Sequence, residues 1–213
     1  MLFNAGEREE SLRVLDRAIE RIPAAGSVLK VNRLITLCRM NRLPEDEFNR
    51  AVNELSGVPY DARAIKVYTG FANAVVGGKC ASISTQMLSG FFSQMLALPY
   101  NNNPTTLEYS QIQYLIGFTH AYSGERASAI AAFNESLGAR PGASHAMQMA
   151  AVLASNQFSI DALDFSELAM LQLQDQSPSI SRAALVRKSD ILEFQETVRA
   201  DIASSTAADN TDP

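Results

Sequence analysis

The chain has no tryptophan, only two histidines and two cysteines, and fewer basic than acidic residues. Each scarcity excludes a class of function. Eighteen Lys and Arg against 23 Asp and Glu leave a formal charge of −5, whereas broad binding to nucleic acid or an anionic membrane needs a basic surface. Cys38 and Cys80 form no CxxC, and neither His120 nor His145 stands near them in sequence, so no metal site and no cofactor are expected. No apolar stretch reaches about 18 residues, so no segment is expected to insert into or span a bilayer as a helix. The opening MLFNAGEREESLR has neither a basic start nor an apolar run and does not read as a signal peptide. No GxSxG, HExxH or glycine-rich phosphate loop occurs. Gly77-Gly78-Lys79 lacks the upstream glycine and following Ser or Thr of a P-loop and reads as a helix stop. No catalytic residue is expected.

What the chain does have is helical spacing of apolar residues almost throughout. Leu12, Leu15, Ile19 and Ile22 follow three-to-four steps up to Pro23, and further helices are predicted over 27–41 and, after Pro44, 48–55. Stretches 60–76 and 82–98 follow, then the long turn Pro99-Tyr-Asn-Asn-Asn-Pro104. Helices are predicted again over 105–122, 125–137, 143–155, 160–174 and 179–202. About ten helices joined by short turns, with no strand-like alternation, predict an all-α fold of antiparallel helical hairpins. Residues 204–213 are small and polar and are expected to be a disordered tail.

One segment, 110–141, carries a repeat signature. Small Gly117 falls where a first helix meets its partner, Gly124 sits in the turn, Ala129 and Phe133 face inward from the second helix, and Pro141 ends the unit. A small residue lets two helices approach, an aromatic fills the wedge behind it, and proline stops the second helix. This segment resembles one tetratricopeptide repeat over its full length, although Gln113 and His120 stand where that family usually has large aromatics. Gly6, Ser11, Leu15, Ala18 and Pro23 match the back half of the same pattern over 1–23, and Asn156, Phe165 and Leu168 mark a shortened unit in 142–175. The stretch 26–98 keeps the hairpin rhythm without the signature. The resemblance implies an α-solenoid over 1–203, with hairpins stacked so that each buries its neighbour's apolar face. It also implies a groove lined by first-helix residues, here Gln111, Tyr114, Phe118, Ala121 and Tyr122, that receives a protein or peptide partner. For Tyr114 and Phe118, simple packing against the next hairpin is the competing role. The first unit lacks its first helix, from which the chain is expected to continue something longer; a short, imperfectly capped protein is the alternative.

A wider resemblance rests on Asn32-Arg-Leu-Ile-Thr-Leu-Cys-Arg-Met-Asn-Arg-Leu, on Val75-Val-Gly-Gly-Lys-Cys80, and on Leu107 through Leu137. Their order is similar to the C-terminal extracytoplasmic repeat domain of bacterial O-antigen polymerase- and ligase-type membrane proteins. It implies a non-catalytic interaction scaffold, with any transferase chemistry in a membrane domain outside this chain. A free-standing adaptor in secretion, pilus assembly or chaperone work is the alternative.

Cys38, late in one helix, and Cys80, just after Gly77-Gly78, fall at the ends of adjacent hairpins. That placement permits a disulfide closing a loop of about 43 residues, worth on the order of 4 kcal/mol by chain entropy. It equally permits two separate buried thiols. The first suits a periplasmic or extracytoplasmic site, the second the cytoplasm. Ala143, Ala146, Ala150 and Ala154 form a smooth stripe that an extended peptide or helix is expected to approach. The mixed charges over 7–21 read as a solvated helix face.

Overall fold

Helix starts are set by side chains that satisfy the otherwise unpaired first N–H groups. The Ser84 hydroxyl accepts from Met87 N at 3.1 Å and that of Thr106 from Tyr109 N at 3.2 Å. Asp61 accepts from Arg63 N at 2.9 Å, opening a short 3-10 turn, Ala62–Ala64. The helices starting at Ile65, Thr85 and Leu107 therefore begin a few residues later than apolar spacing alone predicts. The structure, a computed structural model, describes residues 7–22, 26–55, 57–174 and 186–209. Among these residues there are ten α-helices and no strand. They are α1 (Arg8–Arg21), α2 (Gly26–Arg39), α3 (Glu45–Leu55), α4 (Ile65–Val76), α5 (Thr85–Leu96), α6 (Leu107–Tyr122), α7 (Arg126–Ala139), α8 (Ala143–Ser155), α9 (Ser159–Gln174) and α10 (Lys188–Asp209).

Consecutive helices run antiparallel, as their contacts show. Along α6 and α7, Tyr109 meets Glu135, Ser110 meets Ser136 and His120 meets Glu125, so partners advance in opposite directions. Asp16 with Arg33 and Arg8 with the Arg39 carbonyl set α1 against α2 in the same sense, as Ser89 with His120 and Thr85 with Ser123 do for α5 and α6. Alternate helices also touch, α2 on α4, α4 on α6 and α6 on α8. This arrangement is compatible with stacked hairpins.

The repeat is clearest in how these alternate helices end. Each of α2, α4, α6 and α8 closes with a residue in the left-handed region: Asn41 (φ 53°), Gly78 (φ 69°), Gly124 (φ 77°) and Gln157 (φ 64°). Around each, the same two bonds form. Asn41 N donates to Cys38 O and Arg42 N to Leu37 O; Gly78 N donates to Val75 O and Lys79 N to Ala74 O. The pattern returns from Gly124 N to Ala121 O and Glu125 N to His120 O, then from Gln157 N to Ala154 O and Phe158 N to Leu153 O. Four identical terminators thus span stretches where the side-chain signature is faint.

With no tryptophan present, phenylalanine carries the core. Phe48, Phe71, Phe91 and Phe92 are fully buried among α3, α4 and α5, joined edge-on or tilted at centroid distances of 5.2–6.2 Å. Phe133 and Phe165 meet edge-to-face at 6.0 Å between α7 and α9. Gly117 admits Phe133, for a Cβ there would lie 2.5 Å from the Phe133 ring. The Pro99–Pro104 turn is exposed except at Asn101, which anchors it to the interior. Asn101, 1% exposed, accepts from Tyr60 N at 3.2 Å and donates to Met95 O at 2.8 Å.

Two expectations need adjusting. Ala143, Ala146 and Ala150 are buried rather than presented as a surface, because their small side chains let α8 lie closely on α9, whose Ala162 and Ala169 are buried too. Helix α10 runs to Asp209, past the expected start of a disordered tail at 204, and the Ser204 and Ser205 hydroxyls bond back to Asp201 O at 2.8 and 2.9 Å. Ile191, Gln195 and Val198 form the face that docks α10 on α9. Gly6, Pro23, the expected helix over 179–185 and the last four residues lie outside the described residues.

Candidate functional site

Because α4, α6 and α8 neighbour one another, residues seven apart on α4 and on α6 come to one surface. They enclose a cleft of about 630 Å³, within the size range of ligand pockets. Helix α4 contributes Lys66, Thr69, Gly70 and Asn73; α6 contributes Leu107, Gln111 and Tyr114; α8 contributes His145 and Gln148; Arg140 reaches in from the turn before α8. Gly70 lies open to the cleft, a Cβ there having only Ile35 Cδ1 within 4 Å, at 3.8 Å.

Of the five residues expected to form a groove, Gln111 and Tyr114 line this cleft. Tyr114 is half-buried against Phe118, Phe133 and His145, with ring centroids 6.4, 5.9 and 5.7 Å away, and burial pushes its phenol up to about 12. Gln111 Oε1 is buried with no donor facing it. Phe118 and Ala121 are instead core residues, 4% and 1% exposed, and cannot touch a ligand. The reason is that α6 is covered by α4, α5, α7 and α8 together, which leaves open its first turns and its last residue, Tyr122. Tyr122 is exposed but does not line the cleft, its ring lying on Phe118 at 4.8 Å.

Two serine–histidine contacts resemble catalytic pairs. In the cleft wall, His145 Nε2 lies 2.8 Å from Ser136 Oγ and 3.4 Å from Ser110 Oγ. Ser136 donates its single proton to Ser110 O at 2.6 Å, and Ser110 donates to Ser136 O at 2.9 Å. Only oxygen lone pairs remain for the imidazole, so Nε2 carries the proton and His145 is a donor there, not a base. Burial holds this imidazole below the usual histidine range. Elsewhere, Ser89 Oγ, His120 and Glu125 connect in the order of a hydrolase triad, at 3.2 Å to Nε2 and 2.7 Å from Nδ1. Ser89, however, is buried within α5, where backbone N–H groups are already used in the helix and none faces a developing oxyanion. The contact ties α5 to the end of α6.

Cys38 and Cys80, both buried, meet as a disulfide with Cα atoms 4.6 Å apart. Cys38 belongs to the terminator of α2 and Cys80 follows that of α4. Ala81 N also donates to Asn41 Oδ1 at 3.3 Å, and Ser82 Oγ to Leu43 O. The ends of two successive first helices are thereby fastened together. Among the described residues no three His, Cys, Asp or Glu side chains gather as a metal site, and no helix is long and apolar enough to cross a membrane.

Sequence reasoning missed Lys66, Asn73, Arg140, His145 and Gln148 as cleft residues. The available signal was the seven-residue stride Lys66–Asn73 on α4, which parallels Leu107–Tyr114 on α6. Fold and cleft together define an all-α protein of antiparallel helical hairpins with a recessed surface across alternate helices. No protein-family model matches the chain, and no curated protein does.

Proposed function

We propose that this chain is a non-catalytic interaction scaffold of the tetratricopeptide type, and that the α4–α6–α8 cleft receives a segment of a protein partner. The observation that carries this is the cleft itself, recessed across successive first helices with Gln111 and Tyr114 in its wall. The fit of Phe133 over Gly117 and the four repeated terminators support a repeat origin. A photo-crosslinking residue at Gln111 tests the site in cells of the source organism, with exposed Ser128 on α7 as control. The proposal predicts one partner captured at 111 and not at 128. Equal or absent capture at both positions counts against it.

For context, we place the chain as the soluble C-terminal repeat domain of an envelope polysaccharide polymerase- or ligase-type protein. The disulfide favours that assignment, since such bonds persist in oxidising compartments. Sequencing the coding DNA upstream of Met1 decides it. A continuous frame with apolar segments of about 20 residues upholds it, and a stop codon just before Met1 leaves the free-standing adaptor.

A further inference from the structure

We infer that the α4–α6–α8 cleft selects a peptide segment bearing carboxylates, with Lys66 and Arg140 as the groups that recognise them; this rests on the cleft being a peptide site. Three observations converge. The first is charge. Lys66 and Arg140 are exposed, line the cleft, and have no ion-pair partner among the described residues, and no Asp or Glu lines it. The chain is otherwise acidic, at net −5. A second cleft, of about 460 Å³ among α1, α2 and α3, shows the contrast. There Lys30 is paired with Glu54 at 2.6 Å, and Arg33 with both Asp16 and Glu47. Cations in that cleft are already neutralised, whereas those in the α4–α6–α8 cleft are not.

The second observation is Gln111 Oε1, a buried acceptor without a donor. Such atoms are rare in folded proteins. A bare anion cannot satisfy it, because a carboxylate or phosphate accepts and does not donate. A peptide offers both, carboxylates for the two cations and a backbone N–H for Gln111, whose half-buried side chain must turn toward the cleft to accept it. The third observation weighs against a sugar. Stacking on a pyranose needs an open aromatic face, and the ring of Tyr114 is already hemmed in by Phe118, Phe133 and His145. The remaining exposed amides, Asn73 and Gln148, suit peptide groups.

The test uses the full chain and a phage-displayed library of random peptides about 12 residues long, with enriched peptides resynthesised and measured by fluorescence anisotropy. Binding is compared for the wild type, for Lys66→Gln/Arg140→Gln, and for Gly70→Phe, which fills the cleft. Should Gly70→Phe fail to fold by circular dichroism, Asn73→Trp blocks the same surface from an exposed position. The expected result is enrichment of Asp and Glu, about tenfold or greater loss in the double variant, weakening with salt, and loss on plugging. Amidating the peptide C-terminus tells a terminal carboxylate from side-chain ones, and either source upholds the inference. Neutral peptides that are lost on plugging but indifferent to the double variant overturn it while leaving the cleft as a peptide site. Peptides indifferent to plugging, or no enrichment at all, overturn both. So does an acidic oligosaccharide such as oligogalacturonate, bound in the cleft where no peptide is.

Discussion

Gly117→Ala offers the sharpest test of how the hairpins pack. The added Cβ would stand 2.5 and 2.6 Å from Cδ1 and Cε1 of Phe133 and 3.1 Å from the Ala129 carbonyl oxygen. Phe133 is completely buried, with Tyr114 and Phe165 against its ring, and so has no space to retreat into. Overpacking of this kind costs about 1–3 kcal/mol, while replacing a helical glycine by alanine returns about 0.5–1 kcal/mol. The net expectation is a loss of up to about 2.5 kcal/mol, or a few degrees in Tm for a chain of this size. Gly90 in α5 and Gly138 in α7 isolate the opposing effect, since a Cβ at either meets nothing within 4 Å. Alanine at those positions should stabilise by about 0.5–1 kcal/mol each. Urea midpoints, at unchanged m-value, report all three. Combining Gly117→Ala with Phe133→Leu should cost less than the two changes summed, because the smaller residue frees the space the new methyl needs. If Gly117→Ala raised the midpoint as Gly90→Ala does, the close approach of α6 and α7 would be refuted.

His145 makes stability depend on pH. Its pKa is lowered by burial in the folded chain, so the unfolded chain binds the proton more readily; its contribution is present above about pH 6.5 and is lost as pH falls through the folded value. Urea midpoints of wild type and His145→Gln should diverge as pH drops below about 6.5, and parallel curves would remove His145 as the cause. Breaking the Cys38–Cys80 bond should lower stability by about 4 kcal/mol through the loop it closes, read as a drop in urea midpoint on adding reductant. A midpoint that ignores reductant would mean that the purified protein holds two thiols.

The hairpin rhythm was legible because it is written locally. Apolar steps, Pro44, Gly124 and Gly77-Gly78 each act within a turn or two of where they stand. The wedge of Gly117, Ala129 and Phe133 was legible for a related reason, since it lies within one hairpin. Three of the five expected groove residues were not. Phe118 and Ala121 share a helix with Gln111 and Tyr114, and only the number of helices packed around α6 decides which of them is covered. Lys66 and Arg140 lie far apart in sequence and meet one cleft only because alternate helices stack, an arrangement no local spacing records. The alanine stripe on α8 misled in the opposite direction, because a surface smooth enough for a ligand is smooth enough for α9.

The faint signature of the middle of the chain bears on what the disulfide does. Helices α6 and α7 lie along one another extensively around the Gly117 wedge, and α8 and α9 do so around buried alanines; α4 and α5, with no such wedge, stand further apart, spaced by Tyr68, Phe91 and Phe92. Helix α4 lies most closely along α2, with further contact to α6 and through Tyr68 to Phe91 and Phe92, and the disulfide fastens α2 and α4 at their C-terminal ends. A covalent link therefore sits where the backbones within a hairpin stand far apart, between two terminators whose backbone bonds match those of the closely approached units. Local opening follows contact density, so reduction should act unevenly. Hydrogen exchange after mild reduction is expected to quicken in α2, α4 and α5 first, with α6 to α9 protected until global unfolding. Uniform quickening along the chain would mean that the bond stabilises the whole array through the unfolded state alone. Protection lost first in α6 to α9 would show that hairpin packing, and not the disulfide, sets the order in which the array opens.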